Sequence, residues 1–423
     1  MDSTALGRRG LLAAAVGTAT AGLMAGAAAA RGISAVDTAG AGSAPIDAYP
    51  FHGEHQAGII TPAQDRMHFA AFDLTARSRE DLIALLRTWT QIAADLTQGR
   101  PVAAGQAGPY EAPPLDTGEA QGLPPSGLTI TFGFGPSVFR DADGRDRFGL
   151  AARQPEALRR LPHFPADALD PRRSDGDLCV QACAHDPQVA VHAVRNLARA
   201  AFGTAAMRWA QLGYGRTSST SRSQTTPRNL FGFKDGTANI TAEDTAAATE
   251  HVWVGPDDDP RARWLAGGSY LVARRISMSI ETWDRTSLRE QEQIVGRDRR
   301  EGAPLSGGTE FTEPDFAAAG GEGRPLIDEV SHVRLAHPDS NGGARMLRRG
   351  YNFTDGSDDL GRLDAGLFFV AYVRDPQRQY VPVQNRLSRQ DLMMEYLKHT
   401  GSGLFAVPPG ARPGEFVGQA LFT

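Results

Sequence analysis

The chain reads MHFAAFDL at Met67–Leu74, followed closely by SREDLIALLRTWTQIAADLT at Ser78–Thr97. The first run is short and apolar, which is typical of a strand. In the second run, apolar residues recur at helical spacing, at Leu82, Leu85, Leu86 and Ile92. These two runs predict a strand followed by an amphipathic helix.

The next segments extend this start into a six-element pattern. Leu128–Phe134 and Leu178–Ala184 predict two more strands. Asp186–Ala201 predicts a helix, because Asp186 can cap it and Pro187 suits its first position. With a last strand at Arg208–Tyr214, the order is βαββαβ, which is the ferredoxin-like pattern.

The second half repeats the pattern less clearly. The predicted elements are a strand at Tyr270–Ile280, a helix at Arg285–Val295, strands at Arg345–Phe353 and Gly366–Val373, a helix at Ser388–His399 and a strand at Leu404–Val407. We therefore predict an α+β fold of two ferredoxin-like units with antiparallel sheets, spanning residues 51–216 and 229–423. The polar stretch Thr217–Arg228 is interpreted as a linker or as a loop over an active site.

Composition indicates an ordinary soluble enzyme. The chain has 423 residues, 41% of them hydrophobic, and a net charge of −5, so it can bury one large or two medium cores. No strongly basic balance or clustered cationic face is present in the sequence. Nucleic acid is therefore excluded as the leading partner.

The first 50 residues differ from the rest. Arg8 and Arg9 precede Leu11–Ala30, a mildly apolar Ala/Gly-rich run that ends in small residues. Residues 1–30 are thus predicted to be a twin-arginine signal peptide, cleaved near Ala28–Ala30, with a membrane anchor as the less favoured alternative. Residues 31–50 are predicted to be a flexible lead. The expected partner is the twin-arginine export machinery, and the expected location is periplasmic or extracellular.

A candidate catalytic carboxylate lies in GFKDGTAN at Gly232–Asn239. Glycines precede and follow Asp235, so the backbone can adopt positive φ and lie close to a flat ligand. A plain surface hairpin is the competing interpretation, because Asp-Gly is common in short turns. Two later segments add an imidazole and guanidinium groups, SHVRLAHP at Ser331–Pro338 and RMLRRGYNF at Arg345–Phe353.

In this order, the three segments resemble the dye-decolourising peroxidases, a haem family, and especially the exported subgroup that includes bacterial iron-uptake peroxidases. Four further segments are similar to family signatures: Phe51–Ile59, Phe132–Pro136, Gly176–Cys183 and Gln211–Gly215. The resemblance runs from about Phe51 to the C-terminus, and the duplicated ferredoxin-like fold agrees with it.

The resemblance implies a haem b cofactor bound mainly by the C-terminal half, with His332 as the axial ligand of the iron. His337 is the nearest rival, and the residue that orients the imidazole is left open among Asp328, Glu329, Asp339 and a distant carboxylate. Gly236, Thr237 and Ala238 are expected to lie against the haem edge.

On the open face of the haem, Asp235 is expected to act as acid–base catalyst and Arg348 as charge stabiliser, with Arg349 and Arg345 as competing arginines. The implied activity is reduction of hydrogen peroxide through an oxyferryl intermediate, followed by oxidation of dyes, phenolics or ferrous iron. A deferrochelatase that releases iron from haem and a non-catalytic haem carrier are the alternatives. Homo-oligomers are plausible by the same resemblance.

Cys179 and Cys183 are the only cysteines of the sequence. On a strand their side chains point to one face about 13 Å apart, at roughly 3.3 Å per residue, which is too far for a disulfide. Two buried thiols are predicted instead, and two cysteines are too few for a zinc or iron–sulfur site.

Overall fold

A computed structural model describes residues 48–106 and 108–423. The predicted signal peptide and most of the flexible lead fall outside these residues. Within them, no helix has both the length and the apolar character that a membrane crossing requires.

Nine strands and seven α-helices make up the regular structure of the described residues. The strands are β1 Arg66–Leu74, β2 Thr129–Phe134, β3 Leu178–Ala184, β4 Ala205–Arg216, β5 Ser269–Met278, β6 Leu347–Arg348, β7 Tyr351–Ser357, β8 Leu363–Val373 and β9 Leu397–Val407. The helices are α1 Arg79–Leu96, α2 Pro187–Ala200, α3 Thr245–His251, α4 Ile280–Trp283, α5 Leu288–Val295, α6 His332–Ala336 and α7 Tyr380–Gln390.

The elements of the first half lie where the sequence predicted them, with boundaries shifted by a few residues. Helix α1 begins with a capping box, in which Ser78 and Asp81 each bond to the other's backbone N–H. Helix α2 begins as expected, with the Asp186 side chain accepting a hydrogen bond from the N–H of Gln188. The four strands are antiparallel neighbours in the order β2-β3-β1-β4.

The second half departs from prediction at its end. The helix predicted at Ser388–His399 is wrong, because α7 ends at Gln390 and β9 begins at Leu397. Helix α7 accepts Pro382 in its first turn, where a missing N–H breaks no hydrogen bond within the helix. The apolar run after it forms a single 3₁₀ turn that buries Met393.

The predicted helix Arg285–Val295 is shorter in the structure, since α5 begins at Leu288 after the separate short helix α4. The strand predicted at Arg345–Phe353 is interrupted between β6 and β7. The strands of this half lie in the order β9-β5-β8-β7, with β6 also beside β8.

The two sets of strands join into a closed ring of eight, because β5 pairs with both β8 and β9. Two short seams connect the halves. One is a single pair between β2 and β9, Phe134 with Ala406, and the other joins β4 to β7 through Tyr214–Asn352 and Arg216–Tyr351. Helices α1 and α2 cover the outer face of the first half, with Trp89 buried beneath them.

The interior of the ring contains a second apolar core that includes both cysteines. Cys179 and Cys183 are buried and free, which confirms that they form no disulfide. Burial raises the pKa of both thiols.

The polar stretch Thr217–Arg228, which follows β4, begins with residues that are packed into the fold. Five consecutive residues, Thr217–Ser221, are buried. The Thr220 hydroxyl donates to the carbonyl of Thr61 at 2.7 Å, and the Ser219 carbonyl accepts from the side chain of Asn239 at 2.9 Å. This stretch therefore forms a wall beside the turn that carries Asp235.

Candidate active site

Asp235 lies on a tight turn held by backbone hydrogen bonds. Its N–H donates to the carbonyl of Pro227 at 2.9 Å, and the N–H of Asn229 donates to the carbonyl of Phe233 at 3.1 Å. Gly236 has φ +92°, and a Cβ there would lie 2.8 Å from the Cα of Ser218. Only glycine meets both requirements without strain, so the wall and the turn can approach each other closely.

The carboxylate of Asp235 is engaged on both oxygens. Arg348 Nη1 donates to Oδ1 at 2.8 Å, and Asn229 Nδ2 donates to Oδ2 at 3.2 Å. The side chains of Asp235 and Arg348 are 17% and 28% exposed, so the pair is sheltered but still accessible. The contact with Arg348 is a charge-assisted hydrogen bond, which is shorter and stronger than one between neutral groups.

Asn239 fixes the backbone of Arg348 against the turn. Its Oδ1 accepts from the N–H of Arg348 at 2.7 Å, while its Nδ2 donates to the Arg348 carbonyl at 2.9 Å. Asn239 is buried, so this pairing is shielded from water. The contact between Asp235 and Arg348 is thus supported by both side chain and backbone.

The competing arginines occupy other places. Arg349 is fully buried and points the opposite way, donating to the carbonyl of Thr61 and the side-chain oxygen of Gln64. Arg345 lies 3.8 Å from Asp244 and has no contact with Asp235 among the hydrogen bonds of the described residues. Of the three arginines, Arg348 alone contacts the carboxylate.

His332 begins helix α6 and is oriented by a distant carboxylate. Its Nδ1 lies 2.6 Å from Oδ2 of Asp391, which stands 59 residues later and is 2% exposed. The other oxygen of Asp391 accepts from the N–H of Met393 at 2.9 Å. Within the part of the chain that the structure describes, no hydrogen bond engages Nε2, which leaves that nitrogen for a metal.

Electrostatics place His332 in the same site as the other two residues. Burial disfavours the protonated imidazole, but the charge and hydrogen bond of Asp391 outweigh burial and raise the pKa of His332. Asp235 and Arg348 also act on this pKa, in opposite directions, which requires them to lie nearby. The structure therefore brings together the three residues that the sequence singled out.

The rival His337 faces a different environment. Its Nε2 lies 2.8 Å from Glu313, and its Nδ1 lies 3.6 Å from Asp339. Both nitrogens have carboxylate neighbours, so neither is left free as in His332.

The three residues expected at the haem edge follow Asp235 directly. Gly236 is buried, Thr237 is half-buried and Ala238 is exposed. The Thr237 hydroxyl donates to Glu310 at 3.2 Å. The backbone of this segment thus passes from the interior to the surface of the site.

Sequence reasoning missed Asp391, Asn229 and Glu310, and it gave Asn239 no role. Asp391 was hidden because it fell inside a wrongly predicted helix. The local signal was its place before two apolar residues at a helix end, which suits a capping carboxylate.

Two family models match adjoining stretches of this chain. The family model described as "Dyp-type peroxidase, N-terminal" matches residues 56–215, and its C-terminal counterpart matches residues 226–412. A deferrochelatase of Escherichia coli (strain K12) is 41% identical over 377 residues, covering 88% of this chain and 86% of the relative.

Solved structures give the same answer. Ferric DtpA from Streptomyces lividans is 43% identical with a TM-score of 0.80, covering 90% of this chain and 99% of its own. A DyP-type peroxidase from Cellulomonas bogoriensis is 41% identical with a TM-score of 0.78, covering 88% of this chain and 98% of its own. The chain therefore belongs to the Dyp-type peroxidase family.

Proposed function

We propose that this protein is a haem-dependent peroxidase that reduces hydrogen peroxide and oxidises a separate reductant. The observation that carries the proposal is the 2.8 Å contact between Asp235 and Arg348, in the same site as an imidazole with a free Nε2. A proton-transfer group, an anion stabiliser and a metal ligand are the three parts that this reaction requires.

The residues present fit a haem. A ferric haem needs one axial ligand from the protein and one open face. His332 suits the first role because Asp391 fixes its Nδ1 and strengthens Nε2 as an electron donor. All of the residues assigned to the site follow residue 228, which supports binding mainly by the C-terminal half. We take the group to be haem b, since the two cysteines, the residue type that forms the thioether bonds of a c-type haem, are buried inside the ring.

The bound haem would supply a redox-active iron with a position for peroxide. Asp235, beside Arg348, would accept a proton from one oxygen of hydrogen peroxide. It would then return that proton to the other oxygen, which would leave as water as the O–O bond breaks, with the two electrons supplied by the haem. Arg348 stabilises the negative charge that develops as the O–O bond breaks. Asn239 bonds to the backbone of Arg348, and Asn229 bonds to the carboxylate of Asp235. These hydrogen bonds hold Asp235 and Arg348 in position relative to each other.

Iron release from haem is the second candidate. It is favoured by the similarity to proteins named deferrochelatase at 41% identity. A carrier without catalysis is disfavoured, because storage requires no carboxylate paired with an arginine beside the open face.

The fold and setting of the protein are part of the proposal. The strand orders β2-β3-β1-β4 and β9-β5-β8-β7 support two ferredoxin-like units, at residues 51–216 and 229–423. Arg8 and Arg9 with the run after them support twin-arginine export to the periplasm or beyond. Assembly into homo-oligomers is proposed on family resemblance alone.

The test uses the mature chain expressed with haem. We expect a Soret band that changes on one equivalent of hydrogen peroxide, is lost or perturbed in His332→Ala, and changes slowly in Arg348→Leu. His337→Ala is the matched control and should behave as wild type. A wild-type protein that binds no haem, or whose spectrum ignores peroxide, would refute peroxidase function. Appearance of metal-free porphyrin fluorescence with an iron chelator would instead favour iron release.

A further inference from the structure

Glu310 is a half-buried carboxylate beside the site with no role in the chemistry above. Its Oε2 forms an ion pair with Lys234 Nζ, and its Oε1 accepts from the Thr237 hydroxyl at 3.2 Å. The side chains of Lys234 and Glu310 are 20% and 12% exposed. Lys234 directly precedes Asp235, and Thr237 follows it by two residues. The Glu310 carboxylate therefore binds the turn on both sides of Asp235.

This carboxylate is held in its charged form. Burial opposes ionisation, but hydrogen bonds from Lys234, Thr226 and Thr237 lower the pKa of Glu310 below that of an ordinary glutamate. Because the pKa is lowered in the folded protein, the stabilisation is present above the usual carboxyl pKa and is lost as pH falls through the lowered value. The contacts of the Glu310 carboxylate with Lys234 and Thr237 are therefore present throughout the neutral and mildly acidic pH range.

The backbone of Glu310 is anchored toward the other side of the site. Arg297 Nη1 donates to the carbonyl of Glu310 at 2.8 Å and to that of Gly302 at 2.7 Å. Arg297 directly follows Gly296, the residue that ends helix α5. A Cβ on Gly296 would lie 3.1 Å from Oγ of Ser331, so the end of α5 lies close to the residue just before His332.

A continuous path of contacts thus runs from the helix of His332 to the turn of Asp235. We propose that Glu310 is a positioning residue, which holds Asp235 at a fixed place relative to Arg348 and His332. The inference rests on the proposed function, since it matters only if Asp235 transfers the proton. Proton transfer needs heavy-atom distances of about 2.6–3.2 Å, and a displacement near 1 Å can cost roughly 100-fold in rate.

The chain offers a matched control. Glu313 lies three residues beyond Glu310 on the same segment, is 81% exposed and contacts His337. Glu313→Gln removes a carboxylate of the same type without touching the turn. Lys234→Met removes the cation of the half-buried pair, whereas Lys234→Arg conserves it.

The experiment measures the rate of the Soret change after hydrogen peroxide in the haem-loaded protein. Glu310→Gln and Lys234→Met are each expected to slow it by roughly 10- to 100-fold. Their double variant should be no slower than the slower single, because both break one unit. Lys234→Arg and Glu313→Gln should keep near-wild-type rates. A retained rate in Lys234→Arg, together with a slowed rate in Glu310→Gln at wild-type haem content, is a result that loss of fold alone would not produce.

Asp235→Asn separates failure of the two proposals. If Asp235→Asn is slow while Glu310→Gln reacts at the wild-type rate, the positioning role is refuted and the proposed function stands. If Asp235→Asn is itself as fast as wild type, the acid–base role fails and the role of Glu310 fails with it. Haem content is measured by the resting Soret band. A loss of activity in Glu310→Gln that matches the loss of haem, with an unchanged rate in the loaded fraction, also overturns the inference.

Discussion

Replacing Asp391 by asparagine should weaken haem binding without disturbing the fold. Asparagine keeps an oxygen that can accept the Met393 N–H, but it removes the negative charge from the 2.6 Å contact with His332. A hydrogen bond to a charged group contributes about 1.5–3 kcal/mol. His332 is 35% exposed, so solvent screening favours the lower half of that range.

Since each 1.4 kcal/mol is tenfold in an equilibrium constant, haem affinity should fall roughly 10- to 30-fold in Asp391→Asn. This agrees with the 10- to 100-fold losses typical of groups that orient a metal ligand. The assay is an equilibrium titration of apoprotein with haem, followed at the Soret band. Asp339→Asn is the control, because Asp339 neighbours the rival His337 and is 83% exposed. Equal affinity in Asp391→Asn and wild type, or an equal loss in Asp339→Asn, would refute the reasoning.

Three further outcomes are expected. Arg349→Leu should lower the free energy of urea unfolding by about 3 kcal/mol or more, since it leaves several buried acceptors unpaired; a purely kinetic defect would contradict this. Gly236→Ala should destabilise the protein by about 1–3 kcal/mol and slow the peroxide reaction, because of its φ of +92° and the approach to Ser218; unchanged thermal unfolding would contradict it. Cys179 and Cys183 should react with a thiol reagent at pH 8 only after unfolding, because burial raises the pKa of both; rapid labelling of the native protein would count against it.

Local signals predicted the first half of the fold well. Helices α1 and α2 begin at capping residues that can be recognised in the sequence, Ser78 and Asp186. The second half was harder, because Leu392, Met393 and Leu397 look helical while a 3₁₀ turn and a strand share them. Ring closure could not be predicted at all, since it pairs Phe134 with Ala406, and no local periodicity encodes such a partner.

The residues of the site also fall into those that the sequence could predict and those that it could not. The sequence pointed to Asp235, Arg348 and His332, and the structure places them together, although their roles stay predictions. Asp391 was beyond reach, because its importance comes from a contact across 59 residues. Glu310 was invisible for a related reason: a lone glutamate in a loop carries no pattern until its partners are known.

The seams of the ring set where the molecule opens. Strands β5 and β8 pair over eight positions, whereas β2 meets β9 at one and β4 meets β7 at two. Local unfolding costs least where few backbone bonds must break. We therefore expect backbone amides that bond from β2 to β9 or from β4 to β7 to exchange with solvent deuterium sooner than those that bond between β5 and β8. Local opening of the ring should therefore occur at the boundary between its two halves, while β5 and β8 stay paired.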